Sequence, residues 1–287
     1  MTFAAELSRA NDVVLLARRL EVAQLIAREG IALVRDQGKE RIAVRATADA
    51  QDLADRDACI IAVKAYATEA ALGPLRGVLG VNTLIASVQN GVENVANARL
   101  ALPGARVVAG STTQGAIRVA DGWVHAINRG TTVFARSDAD TPSSEDLAAA
   151  FTVAGLPAHV TDDVDALLWG KLVVNAAINP LGALSRATNG GVIDDPDLQP
   201  LARMLALEAA SVASAEGANV WSPWQAVEAA ARETAVNRNS MLQDLEAGRP
   251  TEIEAICGTI VRRAHHHGFP VPVTETMLHL VRARERA

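Results

Sequence analysis

Residues 59–90 read CIIAVKAYATEAALGPLRGVLGVNTLIASVQN, and this stretch decides the fold class. It opens on the apolar run Cys59–Val63 and closes on a second apolar run, Thr83–Val88. Short apolar runs without polar alternation are typical of strands buried on both faces, and the residues between them have helical character. A strand, a helix and a second strand in this order predict a parallel, doubly wound sheet.

The same pattern continues on both sides of this stretch. Apolar spacing predicts helices over 2–9 and 21–28, the second ended by Gly30, and strands over 13–17, 106–109 and 159–160. Residues 31–45 have a β pattern that is broken at Gly38. Residues 116–135 predict antiparallel strands with turns at 121–122 and 129–130. Residues 1–161 are therefore predicted to form an α/β Rossmann-type domain.

The character of the chain changes after Asp162. The remaining residues predict helices over 163–185, 195–217, 223–247 and 251–267 and a last helix from Thr274, punctuated by prolines at 180, 250 and 270. The predicted fold class is an α/β Rossmann-type domain followed by an all-α C-terminal domain over residues 162–287.

Composition and charge exclude some functions. Hydrophobic residues make up 49% of the chain and aromatic residues 3%, so the core must be aliphatic. The net charge of −6 leaves no broad basic surface for nucleic acid or an anionic membrane, whereas a small anionic substrate needs only a local positive cluster. No apolar stretch approaches the ~18 residues that span a bilayer. Charged residues at 6, 9 and 12 argue against a signal peptide.

The two cysteines predict no disulfide and no redox motif. Cys59 and Cys257 each lie in an apolar run, and their spacing is not that of a CxxC motif. Buried, reduced thiols are typical of a cytoplasmic protein, which is the location we expect. The oligomeric state stays open, with a homodimer as one alternative.

Polar residues follow three of the predicted strands. Lys64 and Asn90 come after the two runs quoted first, and residues 111–113 follow the strand over 106–109. Strands often end in ordinary polar loops, but three such ends together favour a ligand crevice at the carboxyl edge of the sheet. Arg18 follows the strand over 13–17, where a guanidinium usually binds the 2′-phosphate of NADPH; this favours NADPH over NADH.

The segment 167–184, LLWGKLVVNAAINPLGAL, is apolar nearly all round and predicts a buried helix. Its polar exceptions, Lys171, Asn175 and Asn179, lie four residues apart and share one stripe. Lys171 could reach solvent while the asparagines bind neighbouring backbone, but the whole stripe favours a polar cleft. A partly desolvated ammonium there can stabilise and protonate the oxygen of a ketone that accepts a hydride.

Two acids begin the predicted helix after Pro250. Glu252 shares a face with Ile256 and Ile260, which directs it toward the core. Glu254 lies ~200° away around the helix axis and is predicted to be a solvated acid that caps the helix together with Thr251. Glu252 either interacts with the helix dipole or holds Lys171, a cofactor ribose or a substrate hydroxyl.

Several motifs together resemble the ketopantoate reductases over nearly the whole chain. They are VKAYAT around Lys64, SVQNGV around Asn90, GSTTQGA over 110–116, WGKLVVNAAINPLGAL over 169–184 and NRNSMLQDLEAGRPTEIEAI over 237–256. The last two are the most specific. The resemblance implies a dinucleotide-binding domain over 1–161, a helical substrate and catalytic domain over 162–287, and NADPH-dependent reduction of 2-dehydropantoate to (R)-pantoate on the way to pantothenate and coenzyme A.

The resemblance also implies roles for individual residues. Lys171 would be the general acid, and Glu252 would hold the cofactor or support Lys171. Asn90 would contact both cofactor and substrate. The other implied substrate contacts are Asn175, Asn179, Asn189 and Ser240, and the other implied NADPH contacts are Arg18, Lys64 and Ala116. The substrate-binding roles of Asn189 and Ser240 are implied by the resemblance alone. Two alternatives stay open: a reductase of another 2-oxo acid, and a non-catalytic remnant.

The beginning of the chain departs from the family pattern. The family starts with a strand and a GxGxxG turn, whereas residues 1–7 resemble the helix after that turn, so about a dozen residues look absent. Their loss would leave two neighbouring strands without a partner and remove amides that hold the pyrophosphate. Either the natural protein begins further upstream, which the intact later motifs favour, or cofactor binding is impaired. Residues 1–287 alone are expected to bind NADPH weakly or to be unstable.

His265–His267 do not predict a metal site. Consecutive residues of a helix point in different directions and cannot easily share one metal ion. They are instead predicted to end a helix before Gly268, where positive charge is favourable, and no metal is expected.

Overall fold

The computed structural model describes residues 1–35, 38–137 and 141–287, and the chain divides into two compact units. Unit 1 comprises Met1–Val63, Ala67–Gln89 and Val95–Val164. Unit 2 comprises Lys64–Tyr66, Asn90–Asn94 and Asp165–Ala287. The two short segments that follow predicted strands, and that carry Lys64 and Asn90, therefore belong with the helical residues.

The first part of the chain alternates strands and helices. Its main elements are α1 (Thr2–Leu7), β1 (Val14–Leu16), α2 (Leu20–Glu29), β2 (Ile31–Arg35), β3 (Gly38–Ile42), β4 (Arg45–Thr47), β5 (Ala58–Ile61), α3 (Thr68–Leu72), β6 (Leu84–Ser87), α4 (Asn94–Ala101), β7 (Arg106–Thr112), β8 (Ala116–Ala120), β9 (Trp123–Ala126), β10 (Thr132–Ala135), α5 (Ser144–Val153) and β11 (Ala158–Thr161). The predicted strands and the helices over 2–9 and 21–28 are confirmed. The antiparallel arrangement predicted over 116–135 holds only for β8 and β9, because among the described residues β10 pairs with β7 and β11 and not with β9.

These strands form three sheets. The largest has the order β11-β10-β7-β6-β5, and its β5, β6 and β7 are parallel, as the quoted stretch predicts. All four residues of β6 are buried. The other two are a parallel pair, β1-β4, and a four-stranded sheet of order β3-β2-β9-β8, in which β8 and β9 are antiparallel as expected. Aliphatic side chains and two phenylalanines fill the core of this unit.

Strands β1 and β5 each have one paired edge among the described residues. β1 pairs with β4 and β5 pairs with β6, and no described strand lies on the other side of either. Val14 of β1 packs against the same apolar cluster as Cys59 of β5. Both strands therefore present backbone groups without a strand partner. The prediction that a strand is missing stays a prediction.

Unit 2 is helical apart from its two short segments. Its elements are α6 (Val164–Ser185), α7 (Asn189–Asp194), α8 (Leu198–Ala215), α9 (Pro223–Glu233), α10 (Ser240–Glu246), a π-helix (Glu254–Gly258), α11 (Thr259–His267) and α12 (Pro272–Glu285). One aliphatic core joins them, and α6 contributes Trp169, Val173 and Ala177 to it. Gly268 follows α11 in the left-handed conformation, so the three histidines end a helix as predicted.

Three details of the helical prediction are wrong. The helix predicted over 223–247 is two helices, because the Asn239 side chain accepts a hydrogen bond from Leu242 N and starts α10 afresh. Helix α7 was not predicted; Thr188 caps it, and Gly190 allows close contact with Ala235. The helix predicted over 251–267 begins at Glu254 as the π-helix and continues as α11. Pro180 lies inside α6, whose bounds match the helix predicted over 163–185.

By length and composition alone, helix α6 is long and apolar enough to cross a membrane, contrary to the expectation from the sequence. Its 22 residues include a window of mean hydropathy 1.3, and 61% of that window is buried inside the protein. It is the one such helix among the described residues. Burial of this kind is typical of the central helix of a helical core, and the apolar side chains of α6 form that core here.

Candidate functional site

The polar stripe of α6 forms as predicted. Lys171 and Asn175 are half-buried, and Asn179 is buried with 7% of its surface exposed. Burial lowers the pKa of Lys171 to about 8, and the carboxylate of Glu252 opposes that change. Lys171 is therefore a lysine that can exchange a proton near neutral pH, as a general acid must.

Glu252 is buried and points into the site, as its position relative to Ile256 predicted. Its side chain is 6% exposed. Its carboxylate accepts hydrogen bonds from Asn90 Nδ2 at 2.9 Å and from the backbone nitrogen of Ala65 at 3.3 Å. Lys64 Nζ lies 3.4 Å from the same carboxylate. Two segments that are far from Glu252 in sequence, at 64–65 and at 90, are thus brought to one acid.

The predicted role of Glu254 is partly wrong. Glu254 is exposed, as expected, but it does not cap the helix with Thr251. Its carboxylate instead accepts two hydrogen bonds from Arg282, at 2.5 and 2.8 Å. Thr251 Oγ1 accepts from the backbone nitrogen of Ile253. Glu254 therefore forms an ion pair with Arg282 of α12, which lies 28 residues further along the chain, instead of capping its own helix.

Asp244 is a member of this cluster that the sequence reasoning missed. It lies in α10, is 4% exposed, and accepts a hydrogen bond from Lys64 Nζ at 2.7 Å. Burial lowers the pKa of Lys64, but the charges of Glu252 and Asp244 outweigh it and raise that pKa. A usable signal was present: Asp244 lies in the segment MLQDL, where three of the five residues are apolar, and a buried acid there requires a cationic partner.

Two predicted substrate contacts lie elsewhere in unit 2. Asn189 begins α7, and its Nδ2 donates to Thr234 Oγ1 at 2.8 Å while its buried Oδ1 has no partner among the described residues. Ser240 is exposed and begins α10 rather than lying within a helix. The described contacts do not join either residue to Lys171 or Glu252. Their assignment as substrate contacts stays a prediction.

Two predicted cofactor contacts lie in unit 1. Arg18 is exposed two residues after the end of β1, and no hydrogen bond or ion pair of its guanidinium occurs among the residues that the structure describes. Ala116 is exposed at the start of β8. Across residues 1–35, 38–137 and 141–287, no group of three or more His, Cys, Asp and Glu side chains is arranged to hold a metal ion.

Two family models match the chain. One, described as ketopantoate reductase PanE/ApbA, matches residues 1–139, and the other, described as its C-terminal domain, matches residues 163–285. A 2-dehydropantoate 2-reductase of Halobacterium salinarum is 33% identical over 277 residues, which are 96% of this chain and 91% of that protein. The enzyme of the same name from Archaeoglobus fulgidus is 38% identical over 233 residues, 80% of this chain and 77% of that protein.

Two solved structures with the same fold are a ketopantoate reductase and a D-mandelate dehydrogenase. A PanE/ApbA family ketopantoate reductase from Ralstonia eutropha JMP134 superposes with a TM-score of 0.90 at 30% identity, covering 99% of this chain and 94% of that one. A D-mandelate dehydrogenase with NADH and anilino(oxo)acetate superposes with a TM-score of 0.91 at 22% identity, covering 99% and 94%. At that identity, the second likeness concerns the fold alone.

Proposed function

Because the chain belongs to the ketopantoate reductase family, as its motifs predict, we propose that it reduces 2-dehydropantoate to (R)-pantoate with NADPH. This reaction is a step toward pantothenate and coenzyme A, and we place it in the cytoplasm. The observation that carries the proposal is Lys171, a half-buried lysine with a pKa of about 8 that interacts with the buried Glu252. A general acid in this state matches the reduction of a ketone.

Lys171 is the proposed catalytic acid. NADPH, when bound, supplies the hydride that adds to the carbonyl carbon of the substrate. Negative charge then develops on the carbonyl oxygen, and Lys171 stabilises that charge and donates a proton from Nζ to the oxygen. Glu252 keeps Lys171 protonated at neutral pH, because its negative charge favours the ammonium form.

The asparagines of α6 are the proposed substrate contacts. Asn179 is buried, and no hydrogen bond of its side chain occurs among the described residues, so its amide is available to a ligand. Asn175 lies one turn away on the same stripe. Amides bind a carboxylate or a hydroxyl without adding charge. Asn90, Asn189 and Ser240 complete the proposed set, with Asn90 also contacting the cofactor.

The residues proposed for NADPH fit the group in two respects. The guanidinium of Arg18 is exposed and has no described partner, so it can bind a 2′-phosphate. Lys64 offers an ammonium beside Glu252, on a side chain that is 34% exposed. Ala116 would contact the cofactor through its backbone. In this proposal residues 1–161 bind the dinucleotide, and residues 162–287 bind and protonate the substrate.

Replacing Arg18 by alanine is expected to weaken selectivity for NADPH. Loss of a guanidinium–phosphate contact raises KM for NADPH about tenfold or more and leaves KM for NADH nearly unchanged. Steady-state kinetics with both cofactors measure this ratio. Arg28→Ala is a matched control, because Arg28 is an exposed arginine that pairs with Glu29 on α2. If Arg18→Ala changed KM for NADPH and KM for NADH by the same factor, the assignment of Arg18 to the 2′-phosphate would be wrong.

Substrate identity is tested by comparing kcat/KM for 2-dehydropantoate with kcat/KM for simpler 2-oxo acids at saturating NADPH. We expect 2-dehydropantoate to be preferred by about 10²-fold or more, because a site built to bind its hydroxyl discriminates against analogues that lack it. A higher value for another 2-oxo acid would favour the related-reductase alternative. No turnover of any 2-oxo acid would favour the non-catalytic alternative.

A further inference from the structure

Lys64 lies between two buried carboxylates, and its contacts with them differ. Its Nζ is 2.7 Å from Asp244 Oδ2 and 3.4 Å from Glu252 Oε2. Strong hydrogen bonds between an ammonium and a carboxylate have distances of about 2.7–2.9 Å, so the first contact is a full charge-assisted hydrogen bond and the second is at the outer limit. Asp244 is thus the main hydrogen-bond partner of Lys64, while the charge of Glu252 also raises the pKa of Lys64. For the position of the ammonium, the shorter contact decides.

Asp244 is itself held in place from the other side. Its Oδ1 accepts hydrogen bonds from Arg249 Nε at 3.0 Å and Arg249 Nη2 at 2.9 Å. The backbone nitrogen of Arg249 also donates to the backbone oxygen of Asp244 at 2.9 Å. One carboxylate oxygen therefore faces Arg249 and the other faces Lys64. This arrangement fixes the carboxylate and accounts for its burial.

The strong hydrogen bond to Glu252 comes from a neutral group. Asn90 Nδ2 donates to it at 2.9 Å, and the backbone nitrogen of Ala65 donates at 3.3 Å. These bonds fix the carboxylate without cancelling its charge, and that charge acts on Lys171. The charged groups of the cluster are three cations and two anions: Lys64 on the segment after β5, Lys171 on α6, Asp244 on α10, and Arg249 and Glu252 on the segment before the π-helix.

We propose that Asp244 is a positioning residue, which binds the ammonium of Lys64 so that the negative charge of Glu252 remains available to Lys171. This inference rests on the proposed function only in naming Lys171 as the acid. Without Asp244, Glu252 would be the one carboxylate beside Lys64. Lys64 would move the short distance to Glu252 and neutralise it, and the ammonium form of Lys171 would lose its counter-charge.

The chain offers a direct measurement, because it contains three lysines, at positions 39, 64 and 171. Lysine labelled with ¹³C at Cε gives three NMR signals whose shifts report each pKa without cofactor or substrate. In Asp244→Asn we expect the pKa of Lys171 to fall by roughly one unit, because Glu252 becomes paired. When Lys64 is first replaced by methionine, Asp244→Asn is expected to leave the pKa of Lys171 unchanged. Lys39→Ala identifies the signal of the exposed lysine.

The two backgrounds separate positioning from structural damage. The inference would be overturned if the pKa of Lys171 were unchanged in Asp244→Asn. It would also be overturned if Asp244→Asn lowered that pKa equally in the presence and in the absence of Lys64. If Asp244→Asn does not fold, the single variant Lys64→Met tests the inference. We expect it to change the pKa of Lys171 little. A rise of about one unit or more would overturn the inference, because it would show that Lys64 already shares the charge of Glu252 with Lys171.

The NMR titration also keeps this inference separate from the proposed function. It requires no turnover, so a protein that fails to reduce 2-dehydropantoate would overturn the proposed function and leave the role of Asp244 standing. In an active enzyme, the alkaline limb of the pH profile of kcat in Asp244→Asn is expected to move to lower pH by the same amount as the pKa of Lys171.

Discussion

Replacing Lys171 by alanine is expected to lower kcat about 10²- to 10⁴-fold, the usual contribution of a general acid. The substitution removes both the proton donor and the positive charge that stabilises the developing oxyanion. The wild-type rate should fall as pH rises through about 8, because the neutral amine cannot donate a proton, and the variant should lose that dependence. The measurement is kcat at saturating substrate and NADPH from about pH 6 to about pH 10.

The matched control for this variant is Lys39→Ala. Lys39 is exposed and lies over the ring of Trp123 in unit 1, at 4.1 Å from the ring centroid. Its loss should change kcat by less than about twofold. Thermal unfolding of both variants checks that they fold. A Lys171→Ala enzyme with more than about a tenth of the wild-type kcat would refute the role of Lys171 as the acid.

Replacing Glu252 by glutamine is expected to lower kcat about twofold at pH 7 and about tenfold near pH 9, as a fall of roughly one unit in the pKa of Lys171 requires. The neutral amide keeps the size of the side chain but removes the charge that raises the pKa of Lys171. That pKa then falls below about 8, so the alkaline limb of the rate profile moves to lower pH and less of the acid form is present at pH 7. Lys64 loses one of its two carboxylates, so KM for NADPH should also rise.

Glu254→Gln is the control for this prediction. Glu254 lies two residues away, is exposed, and forms a surface ion pair with Arg282. Surface pairs contribute about 0–1 kcal/mol to stability, so kcat and its pH profile should stay within about twofold of wild type. The same profile for Glu252→Gln and wild type would contradict the proposed support of Lys171 by Glu252.

Local, periodic features of the molecule could be predicted from the sequence. The stripe of Lys171, Asn175 and Asn179 depends on helical spacing within one element, and the structure places it as expected. The inward direction of Glu252 follows from the same spacing. The parallel order of β5, β6 and β7 follows from alternating strands and helices.

Contacts between distant segments could not be predicted in this way. Asp244 and Lys64 are 180 residues apart, and no spacing rule connects them. The pairing of Glu254 with Arg282 was missed for the same reason, because tertiary contacts decide it. The break before α10 is different, since the Asn239 cap is a local signal that a long apolar pattern had concealed.

The strand edges of β1 and β5 also bear on how the polypeptide behaves in concentrated solution. A strand whose amides and carbonyls lack a partner can pair with a strand of another molecule, and such pairing is a common route to aggregates. β5 carries Cys-Ile-Ile and β1 carries Val-Leu-Leu, with no charged residue in either to discourage it. Any additional segment that paired with these edges would therefore improve solubility as well as fold stability.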